Sequence, residues 1–307
     1  MHPVHQHTLA ATSLPRGQER RELHTRVITV TLLIALLFIG PRAWADQGPE
    51  LADDAPSDVA VAWFDTLYEV VKSEATAFAV SSRLYGVSAV ALYEAIVPGT
   101  LHHRSLVGQL DRLTSVPQPE EDLQYHWPTV ANAALARTIR GIFPSLKPES
   151  LEAIKALRQR FATQFQAEVD EEEYQRSVVH GRRVADAILA WAATDGFARF
   201  NNCPYVPAPV PGPWEPTPPN FSPNPEQPCW GQLQPTVLES GTECAPPGHP
   251  AFSTDPESAF YAAAWEVYQT GLTLIDEQRT MVDNDSHGTM PCALAPWGED
   301  LVLRRRG

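Results

Sequence analysis

Fifteen of the chain's 29 prolines fall within residues 203–250, and no other feature limits the fold as sharply. Proline has no backbone N–H to give to a helix or a sheet ladder, and its ring fixes φ. Runs such as Pro211-Gly212-Pro213 and Pro216-Thr217-Pro218-Pro219 therefore read as an extended, polyproline-like segment. A solvated linker is one reading of that composition. The segment also holds Tyr205, Trp214, Phe221, Trp230, Leu233, Val237 and Leu238, which a solvated linker has no use for. The favoured expectation is an ordered strap lying across the rest of the fold.

The residues on either side carry helical periodicity. Apolar positions recur at three- and four-residue spacing in 59–76 (Val61, Phe64, Leu67, Val70, Val71), 79–97 (Leu84, Val87, Leu92, Ile96), 127–143, 148–169 and 174–194. Pro148 suits a first helical turn, Pro144 stops the helix before it, and Asp195-Gly196 reads as a helix end. Segment 79–97 is rich in small residues (Ala79, Ser81, Ser82, Ala89, Ala91, Ala95), which predicts close approach to neighbours and a central place in a bundle. Helix returns at 256–270 with Phe260, Tyr261, Ala264, Trp265 and Tyr268. No stretch alternates with period two long enough to suggest a sheet. The expected fold class is all-α: a helical bundle with a proline-rich strap.

Residues 1–45 read as an export signal. Arg20, Arg21 and Arg26 precede an apolar run from Val27 to Ile39, and Ala43-Trp44-Ala45 supplies a small-x-small cleavage pattern. The run is short of the roughly 20 residues a spanning helix needs, so no stable membrane span is expected. Arg20-Arg21 leaves a twin-arginine route open beside the general one. The expected location is periplasmic or extracellular. Removing the signal takes five Arg and two Glu, so the net charge moves from −14 to −17. That sign argues against nucleic acid as a partner. Export also puts Cys203, Cys229, Cys244 and Cys292 in an oxidising compartment, where four cysteines allow three pairings. None of their spacings is C-x-x-C, which argues against structural zinc. The preferred disulfide is Cys229–Cys244, closing a proline-rich loop; free cysteines or another pairing stay open.

Several blocks share an order with one known family. They are SRLYG at 82–86 with VALYEA at 90–95, YHWP at 125–128, WAATDG at 191–196, GPWEPTPP at 212–219 and PCWG at 228–231. Phe260-Tyr261 and Glu266-Val267-Tyr268 follow in place. Together the blocks, spanning about residues 57–280, resemble the exported bacterial branch of the vanadium-dependent haloperoxidases, in the type 2 phosphatidic acid phosphatase superfamily. The resemblance implies a pocket for vanadate, or for phosphate in the phosphatases. There a Lys and two Arg hold the oxygens, one His contacts the metal or phosphorus, and a second His serves as acid/base. Those groups sit in K-x6-R-P, P-S-G-H and S-R-x5-H motifs, and this chain contains none of the three, nor any Arg-Pro dipeptide. The lysines, Lys72, Lys147 and Lys155, all lie upstream of where the family's lysine belongs.

The expectation is therefore an N-terminal portion without catalytic, cofactor or metal residues, inactive alone and holding no vanadate. Its parts are a signal at 1–45, a helical body at 46–202, the strap at 203–250, a helical continuation at 251–280 and a divergent tail at 281–307. The tail reads as a frameshifted or early-ended frame, which resequencing the locus tests. An acid-phosphatase-like member and a non-enzymatic helical scaffold remain the alternatives. The expected partner is a separately encoded catalytic half or a second copy of the chain.

Other constellations read as decoration. Asp283-Asn284-Asp285-Ser286-His287-Gly288 imitates the start of a calcium loop, but Leu294 stands where its last acid belongs. His102-His103 lacks a third metal ligand, and Pro246-Pro247-Gly248-His249 belongs to the strap. Asp170-Glu171-Glu172-Glu173 suits a helix N-terminus. His180, with Arg176 and Arg183 on its helix face, reads as exposed ornament rather than an anion site.

Overall fold

A computed structural model of the chain describes residues 51–217 and 221–285. Residues 1–45, read above as an export signal, lie outside the described residues, as do Pro218 and Pro219 of the strap motif, Cys292 and the tail beyond 285. Among the described residues the fold is all-helical, with no strand. Eight α-helices follow one another: α1 (Asp58–Ser73), α2 (Phe78–Ile96), α3 (Trp127–Ile142), α4 (Pro148–Phe165), α5 (Glu171–Ala192), α6 (Phe197–Phe200), α7 (Ala259–Thr273) and α8 (Asp276–Asp285). Short 3-10 turns stand at Ala52–Asp54, Val97–Gly99 and Trp230–Gln232.

Local chemistry sets the ends. Trp127-Pro128 opens α3 and Pro148 opens α4, each placing proline where the missing N–H costs nothing. Asp170 caps α5 by accepting a hydrogen bond from the Glu173 backbone N–H at 2.8 Å, so the acidic run does sit at a helix N-terminus. Gly196, at φ 87°, makes the left-handed turn between α5 and α6.

The core belongs to α3, which buries twelve of its sixteen residues. It packs chiefly on α5, and also on α1, α2 and α4. The small-residue pattern of α2 had predicted that helix for the centre. Instead α2 buries Leu84, Val87, Ala91 and Ala95 and turns Ser82, Gly86 and Ala89 outward. Small residues permit close approach from any side, and here α3 has Ala131, Ala133, Ala134 and Ala136 for that purpose. Gly181 of α5 lies so close to the Val130 carbonyl of α3 that a Cβ would collide with it. A buried polar link ties three helices: the Trp63 indole N–H donates to Asn132 Oδ1 at 3.0 Å, and Asn132 Nδ2 donates to the Arg158 carbonyl. Trp63 is fully buried, and its N–H finds the partner that burial requires.

The strap is tied down over part of its length. Its Gln234 N–H donates to the Asp195 carbonyl at 2.9 Å, and the Asp111 N–H donates to the Thr236 carbonyl at 2.8 Å. Trp230 meets Phe197 edge to face at 6.4 Å, and Gln227 Nε2 donates to Asn201 Oδ1. Val206, Phe221 and Val237 remain exposed, while Tyr205, Trp230 and Leu233 are half-buried, Tyr205 edge-on to Trp214 at 5.5 Å.

The disulfide differs from the preferred pairing. Cys229 is bonded to Cys203, their Cα atoms 6.2 Å apart, and Cys244 is free and exposed. The reason is the anchoring just described: the contacts of Gln227 and Trp230 with Asn201 and Phe197 bring residue 229 back to the start of the strap. A loop closed on proline spacing alone missed those contacts.

Candidate functional site

Two family-like blocks distant in sequence meet at one buried ion pair. Arg83, from SRLYG on α2, donates through Nε to Asp195 Oδ2 at 2.5 Å and through Nη2 to the Ala192 carbonyl at 3.0 Å. Both side chains are largely buried. The other carboxylate oxygen of Asp195 accepts the Phe197 N–H at 2.8 Å, and the Arg83 guanidinium lies over the Phe197 ring at 4.4 Å. Because the Asp195 carbonyl also receives Gln234, this one residue joins α2, the end of α5, α6 and the strap. Beside it, Arg112 donates to the Thr194 carbonyl, and the Trp191 indole donates to that of Asp111. These hydrogen bonds tie the cluster into the fold and hold its elements together.

The YHWP block forms a second buried cluster, between the first turn of α3 and α5. His126 is 4% exposed. Its Nδ1 lies 2.7 Å from Thr129 Oγ1 and its Nε2 3.4 Å from Glu168 Oε2. The outline is that of a hydroxyl nucleophile, a histidine and an orienting acid. Thr129 is 1% exposed, however, and the His126 ring is packed edge-on against Phe165, so no substrate reaches the hydroxyl. The His126 N–H donates to Ser177 Oγ, which itself donates to the Glu173 carbonyl. The cluster is a polar clamp between α3 and α5.

His180 is not ornament. It is buried, with its ring edge-on to Tyr125 at 5.3 Å. Burial first, and the nearby Arg183 charge second, push its pKa down from 6.5 to about 4. Its Nε2 has no hydrogen-bond partner, consistent with a neutral imidazole at neutral pH. Arg176, one turn earlier on α5, meets the same Tyr125 ring and donates to the Gln124 carbonyl.

An oxyanion pocket needs convergent cations, and the described lysines do not converge. Lys72 sits by Glu69 and the Tyr68 ring, Lys147 donates to the Ser73 carbonyl, and Lys155 donates to Glu152. Of the arginines, Arg83 and Arg112 are engaged as above, and Arg137 pairs with Asp186. In the described residues these six cations each meet a different partner, which is not the shared cradle that vanadate needs. Among the described residues no group of three or more His, Cys, Asp or Glu is placed to hold a metal, and no helix is long and apolar enough to cross a membrane. His103 leans toward Asp53 at 3.6 Å on the surface, with no third ligand. The calcium-loop imitation runs past Asp285 and lies in part outside the described residues.

Glu94 went unnoticed in the sequence. It is 1% exposed, accepting from Ser105 Oγ at 2.7 Å and from the Leu106 N–H at 2.6 Å, and so fixes the loop after α2. Its signal was legible: it falls three residues after Ala91 and seven after Val87, on the buried face of α2.

No family profile matches the chain, and no curated protein matches it. Among solved structures it is similar to a bacterial vanadium-dependent iodoperoxidase, at 26% identity and a TM-score of 0.62. The match covers 73% of this chain and 52% of that one, so the chain spans about half the length of the structure it matches. This is a distant match to a vanadium haloperoxidase fold over most of the chain, and it supports relatedness at the level of the family.

Proposed function

We propose that the chain is the N-terminal, non-catalytic portion of an exported haloperoxidase-like protein. In that reading the intact form oxidises halide with peroxide on bound vanadate, and this portion supplies the helical scaffold. The observation that carries it is a pairing. The chain matches only 52% of the iodoperoxidase, and the three motifs that would hold vanadate are missing from its own sequence. The separate commitments of Lys72, Lys147 and Lys155 agree with that reading.

The test is iodide and bromide oxidation by the purified chain with peroxide and vanadate, run beside phosphatase turnover. No rate above that of free vanadate is expected in the first assay, and none in the second. Saturable halide oxidation would overturn the non-catalytic assignment, and phosphatase turnover would move the chain to the acid-phosphatase-like alternative.

A further inference from the structure

A groove opens where the loop at 108–114 meets the strap at 234–239, a cavity of about 450 Å³. That volume is of small-molecule size. Leu110 and Leu113 line it from the loop, and Val237 and Leu238 from the strap. Its walls are tied in place. The Asp111 N–H donates to the Thr236 carbonyl at 2.8 Å, joining loop to strap. The Asp111 carbonyl accepts from the Trp191 indole at 2.9 Å, which holds the loop on α5, and the Gln234 N–H is held by the Asp195 carbonyl. The groove is therefore formed before any ligand enters, and binding has little backbone left to order.

Several of its donors are already engaged inside the fold. The Gly108 N–H goes to the Leu113 carbonyl, the Glu239 N–H to the Glu243 carboxylate at 2.6 Å, and Gln109 Nε2 to the Ser105 carbonyl. Arg112 gives Nε to Asp111 Oδ2 and Nη1 to the Thr194 carbonyl. The acceptors stay open. Among the described residues the Glu239 carboxylate has neither hydrogen bond nor ion pair, and Asp111 Oδ1 has none either. The Thr114 hydroxyl and the Gln234 amide, which can donate or accept, stand beside them. Open carboxylates above an apolar floor fit a cation on an apolar stem. An anion would meet Asp111 and Glu239 against the single, engaged Arg112. We propose that this groove binds a small primary amine, its ammonium at Asp111 and Glu239 and its stem on the four apolar side chains. The groove and its charges are the same whether or not the family reading holds.

The test is calorimetric titration of the purified full chain with 2-phenylethylamine, beside 3-phenylpropanoate and 2-phenylethanol, which keep the stem and change the head's charge. One amine per chain should bind, roughly tenfold tighter than the carboxylate or the alcohol, and more weakly as salt rises. Glu239→Gln should cut the amine's affinity roughly tenfold and leave the alcohol's alone. It should also leave the melt unmoved, because the Glu239 side chain is exposed and unbonded. Leu238→Ser should weaken amine and alcohol together. Glu257→Gln, at an exposed carboxylate outside the groove, should change neither, which separates the groove from the general pull of an acidic chain on cations. The proposal is overturned by no saturable amine binding, by equal binding of the carboxylate, or by equal losses in the two glutamate variants. Tighter binding of N-acetyl-lysine methylamide than of the free amine would also overturn it, by making the ligand a peptide. None of these outcomes touches the family reading, which fails on its own test, turnover by the chain alone.

Discussion

Helices α3 and α7 are near equals in length, sixteen and fifteen residues, and opposites in fate. The less apolar of the two, α3, carries Arg137 and Arg140 and yet buries twelve residues; α7 carries Glu266 alone and buries none. Composition does not decide burial here. Four neighbouring helices surround α3, whereas the ring contacts that α7 makes to the described residues before it are those of Phe260 with His249 and Phe252. The lesson concerns neighbours: a helix is buried by what packs around it and not by its own apolar content.

Substitutions in the two helices' surroundings should separate them most widely. Trp63→Ala removes a fully buried indole and orphans Asn132 at the centre of the α3 packing; it should cost about 4 kcal/mol in chemical denaturation. Trp265→Ala in α7 should change the same midpoint by less than about 0.5 kcal/mol. Equal losses would show that α7 is packed after all.

Next in size is the Arg83–Asp195 pair. Asp195→Ala strands a largely buried guanidinium and frees the Phe197 N–H, so about 3 kcal/mol of stability should go. Limited proteolysis should then cut the strap near Gln234 faster than any bond in α3. A strap whose protection is unchanged would show that its anchoring does not run through Asp195.

The buried histidine sharpens the α3 side by pH. His180 has a folded pKa of about 4, below its usual 6.5, so the unfolded chain takes up a proton there first as pH falls. Stability is intact above pH 6.5 and drains as pH falls from 6.5 to about 4, by about 3 kcal/mol in full. By pH 5 the loss should be about 2 kcal/mol, and His180→Gln should flatten that slope. A wild-type slope that survives the substitution would assign it to other groups.

The smallest effects concern the cysteines. Cys244→Ser should leave the melt and the protease pattern unchanged, whereas Cys203→Ser should loosen the strap and leave α3 exchange rates as they are. Peptide mapping under non-reducing conditions checks the pairing directly.

Much of this was readable in the residues, and what was not has a common cause. The five body helices lie where three- and four-residue spacing put them, because that spacing is the requirement for burying one face. Their ends followed from Pro148, Asp170 and Gly196, which act within a turn of themselves. The centre of the bundle, the Cys203–Cys229 bond and the burial of His180 were not readable, because each depends on contacts across tens of residues. Gln227 meeting Asn201 decides the disulfide, and Tyr125 meeting α5 decides the histidine. The absence of the K-x6-R-P, P-S-G-H and S-R-x5-H motifs was readable directly, because it is a matter of which residues exist. The solvated state of α7 was not, since its sequence is that of a buried helix.

The account turns on whether this scaffold can hold vanadate. Titration of the purified full-length chain with orthovanadate, followed by vanadium-51 NMR, asks that without relying on activity. The account predicts that the signal of free vanadate stays unshifted and loses no intensity at equimolar protein. A bound resonance that saturates at one vanadate per chain would contradict it.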